Sequence, residues 1–331
     1  MRHVVAVSIG DIYGIGPEIV FKACVHPSVR ERVQPIVFSP RGVLESFAPS
    51  SNVPINYIDA TRNLQPDSIN VFETAGKFEP EAIGKTSAQG GGAAIAAIEA
   101  ATAAVLNGSA EAIVTAPISK ESIALAGSAY RGHTEMLRDL SGASEVMMML
   151  VSKTMRVSLV TIHTPLRDVP NLITESLILD TIEMSVRALQ NDFGIPQPRL
   201  AVLGLNPHAG DGGYLGPEEQ EIVTPAIEEA KASGHAVSGP FAADAFFSAY
   251  STTSFDCIVA MYHDQGLIPL KMSAHGKAVN VSCGLPIVRT SPDHGTAFDI
   301  AGKGVADAAS MIEAMLMACE IVEHRGKAQE R

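Results

Sequence analysis

Three histidines occupy equivalent places in this sequence of 331 residues. The apolar run 157–162 leads directly into His163, the run 200–205 into Asn206-Pro207-His208, and the run 257–261 into Tyr262-His263. Gly or Pro turn residues follow each one. If the runs are parallel strands, three imidazoles arrive at one sheet edge, at the carboxyl ends where open α/β sheets build ligand sites. Three imidazoles with an open fourth position are the donor set of a catalytic divalent metal. Successive separations of 45 and 55 residues do not fit a local zinc finger, so the fold must assemble any such site. A solvated or core histidine accounts for any one of them taken alone.

Downstream of His263, Lys271, Asn280 and Arg289 are strung along a Gly-rich stretch. Arg offers a planar fork and Lys a compact charge to a phosphate or carboxylate. Taken singly, each also reads as a surface residue. Two glycine motifs fail. Gly84-Lys85-Thr86 ends like a Walker A loop, but Glu79 stands where that loop needs glycine. Gly14-Ile15-Gly16-Pro17-Glu18-Ile19 begins like the dinucleotide fingerprint, with Ile19 in place of the third glycine. It reads as a strand-to-helix turn, either purely structural or anion-binding.

The elements that must position these residues alternate along the chain. Strands are expected at 4–9, 112–115, 157–162, 200–205 and 257–261, and helices at 93–106, 177–189, 218–232 and 308–323, with Asp307 capping the last. Alternating strands and helices specify an α/β fold with a parallel sheet. Helix 93–106 is almost all Ala and Ile, which predicts burial, either in the core or at a subunit interface. The length suggests two domains, and the absence of a low-complexity linker suggests that they face each other across a cleft.

Apolar residues make up 46% of the chain and charged residues 18%, enough for a packed core and incompatible with general disorder. The net charge of −12 argues against a nucleic-acid or anionic-membrane partner. Cys24, Cys257, Cys283 and Cys319 form no C-x-x-C pair, as expected of reduced cytoplasmic thiols. No apolar stretch reaches the length of a membrane span, and the N-terminus reads as a first strand rather than a signal segment.

Taken together, Gly10-Asp11, Gly14-Ile15-Gly16-Pro17-Glu18, Gly132-His133-Thr134-Glu135, Asn206-Pro207-His208-Ala209-Gly210, Tyr262-His263-Asp264-Gln265-Gly266 and Arg289-Thr290-Ser291-Pro292-Asp293-His294-Gly295-Thr296-Ala297 resemble the 4-hydroxythreonine-4-phosphate dehydrogenase family of pyridoxal 5′-phosphate biosynthesis. The match runs in order over nearly the whole chain. Residues 293–304 also resemble the loop with which isopropylmalate and isocitrate dehydrogenases hold the adenosine half of their cofactor.

The resemblance implies a two-domain α/β/α architecture like that of isocitrate and isopropylmalate dehydrogenases, with the active site in the interdomain cleft. Residues 1–135 and 280–331 would form the cofactor-side domain, and 136–279 the metal and dimerisation domain. His163, His208 and His263 would bind one divalent ion (Zn, Mg or Co) shared across a homodimer interface. His133, Thr134, Lys271, Asn280 and Arg289 would hold the phosphorylated substrate, and Asp293, His294, Gly295, Thr296 and Ala297 would hold NAD or NADP. Asp244 and Asp264 are candidates for the catalytic base or for orienting a ligand histidine, or else serve as a helix cap or surface acid. The implied reaction oxidises and decarboxylates 4-phosphooxy-L-threonine to 3-amino-2-oxopropyl phosphate, CO2 and NAD(P)H. Ile12-Tyr13 departs from the Pro and small residue usual in the family, which bears on substrate identity. The competing readings are a paralogue acting on 4-phospho-D-threonate or D-erythronate, an acyl-phosphate transferase of related fold, and a non-catalytic binding protein.

Overall fold

The computed structural model describes residues 2–47, 53–59, 63–249 and 254–329. The chain divides into two compact units, Met1–Val146 with Leu285–Glu323, and Met147–Gly284 with His324–Arg331.

The first unit holds β1 (His3–Ser8), β2 (Val33–Ser39), β3 (Ile55–Ile58), β4 (Ile69–Glu73), β5 (Ala112–Thr115) and β12 (Val288–Pro292), in the order β3-β4-β2-β1-β5-β12. Every pairing is parallel, with Ser8 opposite Thr115 and Arg289 opposite Ile113. β1, β2 and β5 are apolar with few interruptions, as strands covered on both faces must be.

The poly-alanine helix begins at Ala88, five residues earlier than expected, and takes Gly90-Gly91-Gly92 into its first turns. Glycine is disfavoured there, but a Cβ at Gly91 would strike the Ser122 carbonyl. The small residues therefore bring helix Ala88–Leu106 against helix Lys120–Leu125 and strands β1, β2 and β5. At 19 residues it passes for a membrane-crossing helix by length and composition alone. Half of it is buried within this unit, and that packing accounts for its composition. Helix His133–Ser141 also packs on it, which carries the unit past residue 135 to Val146.

The second unit holds β6 (Met147–Val151), β7 (Arg156–Leu159), β8 (Arg199–Leu203), β9 (Ala236–Phe241), β10 (Cys257–Ala260) and β11 (Val279–Cys283), in the order β11-β6-β7-β10-β8-β9. β11-β6 and β6-β7 are antiparallel and the others parallel. Pairing with β6 keeps β11 in this unit, so the second boundary falls at Gly284. Val157, Leu159, Ala201, Leu203, Ile258 and Ala260 form the core with Leu267 and Leu270 of helix His263–Ala274.

Two further helices differ from expectation. The segment from 218 opens as a π turn, Glu219–Val223, before helix Thr224–Ala232 begins. The last helix runs Ala309–Gln329, and the Asp307 carboxylate accepts the Ala309 N–H at 2.9 Å just ahead of it.

Candidate metal and substrate site

β7 and β10 are neighbours, and their pairing continues past their ends. Val160 N–H donates to the Ala260 carbonyl (2.9 Å), and both Thr161 N–H (3.2 Å) and its hydroxyl (2.7 Å) donate to the Met261 carbonyl. His163 and His263 therefore emerge side by side, with ring centroids 5.9 Å apart and planes inclined at 36°. They face a cavity of about 300 Å³ walled by Ile162, Leu166, Val169 and Tyr262. His263 Nδ1 lies 2.7 Å from the Asp264 carboxylate. A ring donating Nδ1–H to a carboxylate keeps the Nε2 lone pair for a metal. Two imidazoles with one orienting carboxylate fit a divalent ion.

His208 does not line this cavity. Among the described residues, no three His, Cys, Asp or Glu side chains are grouped to hold a metal ion. The fold therefore joins two of the three expected ligands within one chain. β8 nevertheless lies beside β10, and Gln265 bridges their ends by accepting Met261 N–H at 2.7 Å and donating to the Gly204 carbonyl at 2.6 Å. His208 lies on an exposed left-handed turn with φ of 53° at His208, 49° at Ala209, 80° at Gly210, 45° at Asp211 and 64° at Gly212. Each non-glycine residue held there costs roughly 1–2 kcal/mol.

In the first unit Arg289 is only 2% exposed. Its Nη2 and Nε donate to the Thr115 hydroxyl at 2.7 and 3.2 Å, and burial brings its pKa down to about 10, so it remains cationic at neutral pH. His133 opens helix His133–Ser141, whose N-terminal N–H groups favour an anion. Burial first, and the Arg289 charge second, hold its imidazole well below the usual histidine range, against a hydrogen bond with the Ala116 backbone. His133 Nε2 is enclosed without a hydrogen-bond partner, and Thr134 follows in the same first turn. A buried guanidinium, a neutral imidazole and a helix N-terminus suit a phosphate.

In the second unit Asn280 lies on β11 with its Oδ1 enclosed and unpartnered, and Lys271 is exposed on helix His263–Ala274. Asp244 is exposed in the first turn of helix Ala243–Ser248, whereas Asp264 is committed to His263.

The Asp293–Ala297 segment sits on the Gly10–Glu18 turn. Ile15 N–H donates to the Thr296 carbonyl at 2.9 Å, and a Cβ at Gly14 would lie within 3.0 Å of Thr296. The turn is thus a seat for this loop. Tyr13 is fully buried, stacked on Phe78, with its hydroxyl accepting Glu79 N–H at 3.3 Å and its carbonyl accepting Gly84 N–H at 2.8 Å. Its bulk is spent on anchoring residues 77–84, not on lining the histidine cavity. Sequence reasoning missed the roles of Gln265, Glu18 and Glu219. The first two stood inside quoted motifs, and Glu219 was absorbed into an expected helix.

Comparison with known proteins identifies the family. The family model for the pyridoxal phosphate biosynthetic protein PdxA matches residues 31–318. A 4-hydroxythreonine-4-phosphate dehydrogenase of Desulfosudis oleivorans is 43% identical over 98% of both chains. A D-threonate 4-phosphate dehydrogenase of Cupriavidus necator is 42% identical over 97% of this chain and 98% of its own. The crystal structure of 4-hydroxythreonine-4-phosphate dehydrogenase from Klebsiella pneumoniae superposes with a TM-score of 0.87 at 38% identity, covering 97% of this chain and 98% of that one. With one family model spanning most of its length and relatives above 40% identity end to end, the chain belongs to the PdxA family of pyridoxal phosphate biosynthetic proteins.

Proposed function

We propose that this chain is an NAD(P)-dependent dehydrogenase that oxidises and decarboxylates 4-phosphooxy-L-threonine to 3-amino-2-oxopropyl phosphate and CO2. The observation that carries the reading is the His163–His263 pair with Asp264 at the ends of β7 and β10, in a chain whose relatives bear that dehydrogenase name. When bound, a divalent ion supplies Lewis acidity at the substrate's secondary hydroxyl and a nicotinamide accepts the hydride. His163, His263 and His208 are the ion's ligands, with His208 coming from a second copy of the chain in a homodimer.

Asp264 orients His263, and Asp244 is the candidate proton acceptor. Arg289 and His133, with Thr134, Lys271 and Asn280, bind the substrate and its phosphate, fixing the C–H bond that is to be broken. Asp293, His294, Gly295, Thr296 and Ala297 hold the dinucleotide. Four buried free thiols support a reducing, cytoplasmic setting.

Oxidation of 4-phospho-D-threonate or D-erythronate is the second reading, supported by the Cupriavidus relative. The deciding measurement is steady-state NAD(P)H formation from each of the three substrates, with and without chelator. Turnover of the amino compound that chelator abolishes is the expected result. Preference for a hydroxy analogue selects the second reading, and full activity without metal removes the metal assignment.

A further inference from the structure

The turn carrying His208 is the most strained backbone in the site, and one carboxylate is built into it. Glu219, 2% exposed at the start of the π turn, accepts Asn206 N–H at 2.7 Å through Oε1 and the Asn206 side-chain amide at 3.0 Å through Oε2. The same amide donates to Glu218 at 2.8 Å, and Gln220 donates to the Gly212 carbonyl at 3.1 Å. Gly210 is the residue that lets the carboxylate in, because a Cβ there would lie 2.6 Å from Glu219 Oε2. Three consecutive side chains, Glu218, Glu219 and Gln220, thus bind both sides of the left-handed turn. A π turn at this point fits, since such insertions gather where side chains must be aimed at a functional site.

We propose that Glu219 is the positioning residue that holds the 206–213 turn in its left-handed form and so presents His208 for metal coordination. The proposal rests on the reading of His208 as a ligand. Its physical content is specific: Glu219 offsets the strain of non-glycine residues at positive φ, so relieving that strain elsewhere must substitute for it. Ala209, at φ 49°, is where glycine would relieve it.

The test is Co2+ binding to the full-length protein by calorimetry, with circular dichroism confirming the fold of each variant. Glu219→Gln turns one acceptor into a donor facing a donor, and the affinity is expected to fall roughly tenfold or more, the scale of the backbone strain it offsets. Adding Ala209→Gly to Glu219→Gln is expected to restore most of that loss. Gln220→Ala, an exposed and milder change, is expected to weaken binding several-fold and to respond to the same glycine. It carries the test if Glu219→Gln does not fold.

Unchanged Co2+ affinity in Glu219→Gln or in a tested Gln220→Ala, alongside its loss in His208→Ala, overturns the proposal and leaves the ligand reading standing. Failure of Ala209→Gly to rescue also overturns it, because the effect would then be a general structural one. Wild-type affinity in His208→Ala removes the ligand reading and the proposal together.

Discussion

Glu18 and Lys22 form an i,i+4 ion pair at 2.8 Å, and together they hold a segment almost the whole chain away. Glu18 Oε1 also accepts Ala306 N–H at 2.8 Å, while Lys22 Nζ donates to the carbonyls of Gly304 and Ala306 at 3.0 and 2.7 Å. The pair fixes the far end of the 293–304 loop whose near end rests on Ile15. Glu18→Gln is expected to lower stability by about 1–3 kcal/mol in urea titration, since it leaves a charged hydrogen bond unmade. It is also expected to raise the KM for the dinucleotide while metal affinity stays put. A dinucleotide KM equal to that of wild type would show that the loop needs no such anchor.

Arg289 is expected to carry the phosphate. Charge-assisted hydrogen bonds contribute about 1.5–3 kcal/mol each, so Arg289→Ala should raise the substrate KM roughly ten- to a hundredfold. Arg289→Lys should recover little, because an ammonium cannot reproduce the fork. The comparison that decides is a substrate lacking the phosphate. If both proteins discriminate against it equally, Arg289 is not the phosphate ligand.

His133 gives a pH dependence of definite sign. Its pKa is lowered on folding, so the unfolded chain takes up a proton that the folded one refuses. Stability is therefore fully present above the ordinary histidine pKa near 6.5 and is lost as pH falls below it, by up to about 1.4 kcal/mol per pH unit. Unfolding of the wild type and His133→Asn, compared at pH 7.5 and 5.5, should show a steeper loss in the wild type. Equal losses in the two proteins would mean that His133 is not held neutral.

Mixed subunits test the proposed homodimer and how it divides the histidines. His163 and His263 lie together in one chain, so a dimer of His208→Ala with His263→Ala subunits keeps one intact set if His208 crosses over. With random exchange between two inactive homodimers, about a quarter of wild-type activity should return, as two-fold symmetry dictates. No recovery after demonstrated exchange would count against His208 crossing to a second chain.

The sequence by itself determined five of the twelve described strands, the histidines at the ends of three of them and the family. Apolar β-branched runs ending in turn residues are local features, and β5 over Ala112–Thr115 was legible to the residue. Motifs such as Gly14–Glu18 were visible as strings but not as devices. The role of Glu18 depends on Ala306 and that of Thr115 on Arg289, contacts between residues too distant in the chain for any periodicity to pair.

Local propensity also misled where tertiary packing overrode it. Gly90–Gly92 is helical, with the Ser87 hydroxyl accepting Gly90 N–H at 3.0 Å as its cap and Ser122 leaving no room for a side chain at Gly91. The left-handed turn at His208 opposes the preference of three of its residues, and Glu219 and Gln220 bind it from residues further along the chain. Only the tertiary structure decided that His163 and His263 share a cavity while His208 stands apart. Strand order brings β7 against β10, and the conformation of one loop sets where the third imidazole goes.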